Sequence, residues 1–331
     1  MESHPRPRSL FGPIVLIGAG AIWLLANFQV IPDLHWATLW RLWPLALIAA
    51  GLEMLVGRGH ALVSALIGLL TVGAAVTLLV AGPRLGLAPA VPETKTERFT
   101  EALDGATAAE VTLNLAEYPT HVSALTDSND LIDAELTHAG DVDFNVRGGA
   151  NRQVTLGYRS GPSFFFPDFT TDGGEWSIGL SARVPLVLHI DVGSGSAELT
   201  LTGLALNALT IDGGSGSLAL ALPAADEAYE AQLDGGSGAQ TVEVPVDAAG
   251  SLSYEGGSGS LRLIIGDTAA VRVEVQDSGS GSVRMPNGWE QIEDGDDDEG
   301  VWESATFADS EDRQFVIVVR EVGSGSIEVE N

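Results

Sequence analysis

The chain has no cysteine and very little positive charge, and both shortages exclude functions. Without cysteine among its 331 residues, disulfides and thiolate chemistry are excluded. No lysine follows Lys95: residues 98–331 hold ten arginines against 40 aspartates and glutamates, a net charge of −30. A segment this acidic repels phosphate backbones and anionic headgroups, which argues against nucleic-acid binding. It would attract cations, basic proteins or basic polymers instead.

The N-terminal quarter of the chain is nearly free of charge and predicts membrane helices. A bilayer core about 30 Å thick needs roughly 20 apolar residues of helix. Residues 10–31, 42–57 and 61–82 reach or approach that length, and Glu53 is the single charge within them. We therefore predict a cytoplasmic tail over 1–9, three transmembrane helices within 10–82, a linker over 83–100 and a separate domain over 101–331.

Arginines outside these stretches predict the orientation of the chain in the membrane. Arg6 and Arg8 precede the first stretch and Arg58 follows the second, whereas Arg41 and Arg84 fall on the opposite side. The positive-inside rule then places the N-terminus in the cytoplasm. With three spans, the C-terminal domain of this multi-pass cell-membrane protein is extracytoplasmic; if 42–57 is only re-entrant, the domain is cytoplasmic.

Residues 101–331 carry an internal repeat. Gly-Ser-Gly-Ser, once Gly-Ser-Gly-Ala, begins at six positions spaced 21, 22, 21, 22 and 44 residues apart: Gly193, Gly214, Gly236, Gly257, Gly279 and Gly323. After the motifs apolar residues alternate, as in Leu218, Leu220 and Leu222, which is the period of a strand with one buried face. Glycine suits the corners between such strands. The fold class predicted is N-terminal transmembrane α-helices plus an all-β, single-stranded parallel β-solenoid with 21–22-residue coils.

An acidic residue precedes the first glycine of every motif by two positions. The six are Asp191, Asp212, Asp234, Glu255, Asp277 and Glu321. In a solenoid they would form a column with about 4.8 Å between adjacent coils. Two interpretations are open: each carboxylate accepts a backbone N–H at its corner, or the column holds cations. The spacing differs from the nine-residue calcium-binding repeat, in which the aspartate follows the glycines.

Two segments interrupt the repeat. The first contains four phenylalanines in a loop-like stretch, Phe164, Phe165, Phe166 and Phe169. These side chains either close the solenoid core or form a patch that binds a partner or the membrane. The second, Met285–Arg313, has the acidic run 293–299 at its centre and is predicted to be a solvated loop. The run lacks the ligand spacing of an EF-hand.

No pattern in the chain is typical of an enzyme. The six histidines lack metal-ligand spacing. The glycine motifs lack the lysine of a phosphate-binding loop, and no nucleophile elbow stands between a predicted strand and a helix. We therefore predict a protein without catalytic residues, cofactor or resident metal.

Two groups of motifs resemble known families. Ser9–Gly18, an apolar helix that opens with Phe-Gly-Pro, and Trp40–Leu45, with Trp-Arg-Leu-Trp-Pro-Leu, resemble the transmembrane region shared by LiaI- and LiaF-type proteins. Further along the chain, Trp176–Leu180, Val184–Leu186 and Leu201–Leu204 flank Gly193-Ser-Gly. This pattern is similar to the toast-rack β-solenoid domain of LiaF-like and adhesin-type proteins.

The resemblance implies a non-enzymatic cell-envelope protein that restrains a membrane sensor kinase during envelope stress. Its partners would be the lipid bilayer and that kinase or another integral membrane protein. The chain departs from the family in having three predicted spans rather than four and in its serine-rich repeats. An adhesin-like or scaffold module that binds envelope polymer or surface partners is the alternative, and homo-oligomers, including end-to-end polymers, stay open.

Overall fold

A computed structural model describes residues 11–28, 43–55, 61–81, 94–115, 117–159, 174–225, 227–295, 298–310 and 313–331. The chain divides into two compact units, one with the helices and one with the strands. The predicted tail over 1–9 lies outside the described residues, as do Phe164, Phe165, Phe166 and Phe169.

The helical unit contains three helices in the described part of the chain: α1 (Phe11–Asn27), α2 (Trp43–Leu55) and α3 (Ala61–Ala81). They fall within the three stretches predicted to span a membrane. None of these described helices, however, is long and apolar enough for a crossing, so the structure does not bear out the three predicted spans. At 1.5 Å per residue, α1 and α2 are only about 25 and 20 Å long, shorter than a bilayer core of about 30 Å.

Close packing and one polar cluster hold the helices together. A Cβ added at Gly18 of α1 would lie 2.3 Å from a methyl group of Val72 of α3, so glycine is needed for this approach. The Ser64 hydroxyl of α3 accepts a hydrogen bond from the Phe11 backbone N–H (3.1 Å) and donates one to Glu53 Oε1 of α2 (2.9 Å). Glu53 and Ser64 are both buried.

The second unit is all-β and consists mainly of parallel strands in two facing sheets. The strands are β1 (Lys95–Ala102), β2 (Ala108–Asn114), β3 (Thr120–Leu125), β4 (Asp130–His138), β5 (Asp141–Gly148), β6 (Asn151–Arg159), β7 (Glu175–Ser181), β8 (Leu186–Asp191), β9 (Ala197–Thr200), β10 (Leu206–Asp212), β11 (Leu218–Ala221), β12 (Tyr229–Asp234), β13 (Gln240–Val244), β14 (Gly250–Glu255), β15 (Ser260–Ile265), β16 (Val271–Val275), β17 (Ser282–Arg284), β18 (Glu290–Asp294), β19 (Gly300–Glu303), β20 (Phe315–Glu321) and β21 (Ser326–Glu330). One sheet has the order β1-β4-β7-β3-β9-β11-β13-β15-β21-β17 and the other β18-β19-β16-β20-β14-β12-β10-β8-β2-β6-β5.

In the middle of the domain, successive coils stack in sequence order. Each coil gives one strand to each sheet, so the strand pairs β8–β9, β10–β11, β12–β13 and β14–β15 follow one another. In register, Asp191 lies beside Asp212, Asp212 beside Asp234, and Asp234 beside Glu255. These four coils have the geometry of a parallel solenoid.

At both ends the sequence order of the coils is broken, which corrects the prediction of one uniform parallel solenoid. The pair β20–β21 lies between β14–β15 and β16–β17, although it is last in sequence. Strand β19 pairs antiparallel with the outer edge of β16, which leaves the inner edge of β16 for the returning strand β20. At the other end β6–β7 lies outside β2–β3 and is covered by antiparallel β5 and β4, with β1 beyond β4.

Two segments expected to be irregular form strands. Strand β1 begins at Lys95 and pairs antiparallel with β4, so its first six residues fall within the predicted linker over 83–100. The predicted solvated loop Met285–Arg313 contains β18 and β19, which pair with each other and cover β16. Pairing with an available sheet edge overrides the weak local propensity of these charged segments.

The core lies between the two sheets, and the predicted alternation places residues correctly in it. Leu220 and Leu263 are buried, whereas their neighbours Ala219 and Arg262 are exposed. Leu218, Leu222, Leu261 and Ile265 are buried as well. The alternation of buried and exposed residues predicted from the repeats is confirmed at these positions.

Candidate functional site

The stacked corners between the two sheets form the most regular surface of the β domain. A ladder of backbone hydrogen bonds joins neighbouring corners. In each bond, the N–H of the first serine of one corner donates to the carbonyl of the first glycine of the adjacent corner. The bonds are Ser215 to Gly193 (2.8 Å), Ser237 to Gly214 (2.8 Å), Ser258 to Gly236 (3.1 Å), Ser324 to Gly257 (3.0 Å) and Ser280 to Gly323 (2.9 Å). The corner at Gly323 therefore lies between those at Gly257 and Gly279.

The two glycines of each motif are required for different reasons. The first has a positive φ in five of the six corners, for example +55° at Gly214, which disfavours side chains. The second allows close approach of stacked backbones: a Cβ at Gly216 would lie 1.5 Å from the carbonyl oxygen of Gly195. No side-chain rotation can relieve that clash, because the backbone fixes the position of the Cβ and the atom it meets is a backbone oxygen.

The six acidic residues form one exposed column along these corners, in the spatial order Asp191, Asp212, Asp234, Glu255, Glu321 and Asp277. Four aspartates accept a hydrogen bond at Oδ1 from the N–H of the first glycine: Asp191 from Gly193 (3.0 Å), Asp212 from Gly214 (3.2 Å), Asp234 from Gly236 (3.4 Å) and Asp277 from Gly279 (2.8 Å). Their geometry is that of turn caps.

The column continues by one further position, an asparagine that the sequence pattern did not single out. Asn114 of β2 lies beside Asp191 in register, one coil further out, where no Gly-Ser-Gly-Ser motif follows. An Asn at a strand end is a signal for the same type of turn, but without the glycines it did not stand out. Within the residues that the structure describes, no group of three or more His, Cys, Asp or Glu has the geometry of a metal site.

Beside the acidic column run two exposed columns of small side chains. The first consists of Ser194, Ser215, Ser237, Ser258, Ser324 and Ser280; the second of Ser196, Ser217, Ala239, Ser260, Ser326 and Ser282. We call the three columns together the corner face. The corner face offers repeated carboxylates and mostly hydroxyl groups at the coil spacing of the solenoid, and can form hydrogen bonds and ion pairs with a repeating partner.

Under the corner face, buried polar groups fill space left by glycine. Gly235 stands where other coils have Val192 or Val322, and the Tyr254 hydroxyl lies close enough to hinder any side chain there. That hydroxyl donates a hydrogen bond to Gln240 Oε1 (3.2 Å). Burial, with a further contribution from the charge of Asp234, raises the pKa of Tyr254 to about 12. Tyr254 therefore stays neutral and serves as a structural donor.

The outer face of one sheet carries paired charges next to a shallow groove. Arg262 of β15 makes a two-pronged ion pair with Glu330 of β21 (3.0 and 2.7 Å). The groove, about 110 Å³, lies over Ala219 and Ala221, with Glu198 and Glu243 on its walls. The groove is small and exposed, so it suits contact with a surface side chain better than enclosure of a substrate.

Large apolar side chains of the helical unit are exposed. Leu62 is 86%, Leu55 83% and Leu16 77% exposed, and Leu69, Leu70 and Trp23 are also largely exposed. Water-soluble proteins rarely leave so many large apolar side chains uncovered in one region.

Two family models match the chain. Residues 10–55 match the LiaI-LiaF-like transmembrane region, and residues 91–243 match the N-terminal domain of toast_rack. The chain has the LiaF-like architecture. The toast-rack match covers β1 through most of β13, so the coils β14–β15, β20–β21 and β16–β17 lie beyond it.

Three similar solved structures come from bacteria. The putative cell adhesion protein from Clostridium sporogenes has 16% identity and a TM-score of 0.47, over 72% of this chain and 99% of that one. The putative adhesins from Bacteroides fragilis (13%, 0.29) and Parabacteroides distasonis (12%, 0.31) each match over 72% of this chain and 98% of theirs. A comparison with curated proteins gave no match.

Proposed function

We propose that this is a non-enzymatic envelope protein. Its helical unit associates with the lipid bilayer, and its acidic toast-rack domain acts on partners outside the bilayer. The observation that carries the proposal is the apolar surface of the three helices, two of which, α1 and α2, lie within the match to a LiaI-LiaF-like transmembrane region. Acyl chains, or the helices of an integral membrane partner, would cover that surface.

The polar groups of the helical unit support membrane association. Glu53 is the single charged residue in the described helices, and it is buried and hydrogen-bonded to Ser64. Polar groups in an apolar environment are stable only when they are paired within the protein. The unit thus hides its charge and presents its apolar side chains, the reverse of a water-soluble helical bundle.

A regulatory role on a membrane sensor kinase is the finer part of the proposal. The helical unit would contact the kinase in the membrane, and the β domain would lie on the extracytoplasmic side, which is the side predicted for a cytoplasmic N-terminus followed by three spans. The net charge of −30 over residues 98–331 would then face the exterior, where it would attract cationic molecules.

A second candidate, a scaffold or adhesin-like module, is favoured by the corner face. Its carboxylates and hydroxyls repeat at the coil spacing along one edge of the solenoid, which suits a partner that is itself a repeating polymer. Multiple weak contacts along such a polymer would add up through effective concentration.

Fractionation of cells that produce the full chain tests the anchor. We expect the chain in the membrane fraction after alkaline carbonate washing, and degradation of the β domain when protease is added to intact spheroplasts. Release by carbonate would contradict the anchor, and complete protection would place the domain in the cytoplasm.

A binding experiment on the detergent-solubilised full chain distinguishes the kinase regulator from the polymer-binding scaffold. Co-purification with a sensor kinase that survives substitution of the corner-face aspartates supports the regulator. Sedimentation with purified cell-wall polymer that these substitutions abolish supports the scaffold.

A further inference from the structure

Residues 313–331, which form β20 and β21, occupy the space between two other coils, and we call them the insert coil. β20 pairs in parallel with β14 on one side and with β16 on the other. β21 does the same with β15 and β17. We call the space between β14–β15 and β16–β17 the acceptor slot.

The side chains that the insert coil places inside the slot are apolar. Phe315, Ile317 and Val319 are completely buried, and Ile327 and Val329 nearly so. Because these side chains lie between the two sheets, each removes apolar surface from water on both sides of the insert. The inner face of the slot therefore selects an alternating apolar strand.

Charged side chains hold the insert coil from both neighbouring coils. Arg262 of β15 pairs with Glu330, and Arg284 of β17 pairs with Glu328 (3.0 Å). The corner fits closely as well: a Cβ at Gly325 would lie 1.7 Å from the carbonyl oxygen of Gly259. The contacts of the slot thus match a sequence with Gly-Ser-Gly-Ser between two apolar strands, in which acidic residues alternate with apolar ones in the second strand.

In the described residues, the outer coil β16–β17 pairs with the rest of the solenoid only through the insert coil, since neither β14 with β16 nor β15 with β17 is paired. We infer that the acceptor slot is a strand-binding site, and that a second copy of the insert coil supplied by another molecule can replace the coil of the same chain. The slot contacts only residues of the insert coil, and these are identical in another copy of the chain. The slot therefore cannot distinguish the insert coil of its own chain from that of a second molecule.

The insert of the same chain has the advantage of tethering, because a linked segment competes at a millimolar effective concentration. Replacement should therefore be rare in the native chain and common when the chain's own insert fits badly. Gly325→Val in the full chain weakens that insert through the contact with Gly259 while leaving the slot residues unchanged.

Disulfide capture on the full chain tests the inference, since the natural chain has no cysteine. Ser258 and Ser324 are stacked neighbours, and their spacing of about 4.8 Å falls within the range that a disulfide spans. A synthetic peptide of residues 313–331 with Ser324→Cys is mixed with full chain carrying Ser258→Cys. We expect at least tenfold more cross-linking when the chain also carries Gly325→Val.

The control peptide has the same sequence with Gly325→Val added, and it should cross-link at background level. A full chain with Ser258→Cys and Ser324→Cys should close its own disulfide and then exclude the peptide. Ser258→Cys with Ser280→Cys should not close, because the insert separates these positions.

Equal cross-linking of the two peptides would overturn the inference. So would the absence of cross-linking under mildly denaturing conditions to the Ser258→Cys chain, both with and without Gly325→Val. Closure of the Ser258–Ser280 pair would show that the insert does not occupy the slot. If the Gly325→Val chain fails to fold, the Ser258→Cys chain in low urea supplies the same comparison.

Discussion

The four central coils and the two ends of the β domain share one architecture but stack by different rules. From β8 to β15 each coil pairs with the next coil in sequence. At each end one coil is placed out of sequence order, and antiparallel strands cover the outermost coil: β5 and β4 cover β6–β7, and β19 covers β16. The repeat thus fixes how two coils fit together, whereas the sheet edges already occupied decide which coils meet.

The ends also differ from the centre in how they limit further pairing. An open sheet edge invites strands of other molecules, and charged residues on edge strands discourage this. The edge strand β1 carries Lys95 and Arg98, and every residue of the edge strand β18 is exposed, with Glu290 and Asp294 at its ends. The central strands need no such protection, because both of their edges are paired.

The largest expected difference between centre and end concerns glycine. Gly216→Ala places a Cβ 1.5 Å from a backbone oxygen of the neighbouring coil and should cost about 4 kcal/mol or more of unfolding free energy. Gly149→Ala, at the turn between β5 and β6, meets nothing within 4 Å and should be nearly neutral. Urea unfolding of the full chain in detergent, followed by the β-sheet circular dichroism signal, measures both. Similar values for the two variants would show that the corners do not stack as described.

Burial in the core should give the next largest difference. Leu220→Ala in a central coil removes a buried side chain and should cost about 2–5 kcal/mol. Val283→Ala in the outer strand β17 removes a half-buried one and should cost about 1 kcal/mol. Ala219→Ser, on the outer face beside Leu220, should change little. Equal losses at Leu220 and Val283 would mean that the outer coil is as well packed as the centre.

The inside–outside alternation could be predicted from the sequence, but the order of the end coils could not. Burial follows the local period of two, so Leu218, Leu220 and Leu222 were placed correctly. The coils that begin at Val271 and Phe315 carry nearly the same motif and would fit the same neighbour. Their order depends on the β18–β19 pair, which lies in a charged stretch without strand periodicity.

For the candidate site, the acidic column could be predicted because its spacing is constant. The break in its spatial order, with Glu321 before Asp277, could not, since it depends on the same long-range pairing. The support for the turn-cap interpretation also comes from geometry, namely the hydrogen bond from a glycine N–H to Oδ1 at four of the six positions. The ion pairs of Arg262 and Arg284 with the insert coil link residues 68 and 44 positions apart, beyond any local pattern.

A smaller effect on the free energy of unfolding is expected at the edge strand β1, and this effect should depend on pH. Arg98 Nε donates a hydrogen bond to Asp133 Oδ1 (2.8 Å), and this bond holds the pKa of Asp133 below its ordinary value of 3.8. A lowered pKa means that the pair stabilises the fold above the unfolded pKa and that this contribution is lost as the pH falls through the folded value. Arg98 is 63% exposed in its side chain, so solvent screens most of the interaction.

Arg98→Gln should therefore lower stability slightly at pH 7, by much less than Leu220→Ala, and the difference from the natural chain should shrink below about pH 4. Urea unfolding at pH 7 and pH 3 measures it. A difference of the same size at both pH values would show that Arg98 acts through packing of its aliphatic part and not through the carboxylate of Asp133.

The smallest effect is expected in the acidic column, the surface most tempting to interpret as a cation site. Asp234 Oδ1 accepts a hydrogen bond from the Gly236 N–H, and asparagine offers the same acceptor. Asp234→Asn also removes one charge between Asp212 and Glu255, which relieves repulsion that solvent already screens. Stability should then change by no more than about 0.5 kcal/mol.

Millimolar calcium should raise the melting temperature of the full chain no more than sodium chloride at equal ionic strength. If the column holds calcium in the folded state, the ion adds stability by mass action, and the melting temperature rises by several degrees above the sodium control. Loss of that rise in a chain with Asp212→Asn and Asp234→Asn, and its persistence with Asp247→Asn outside the column, would establish the column as a cation site and reject the role of turn caps alone.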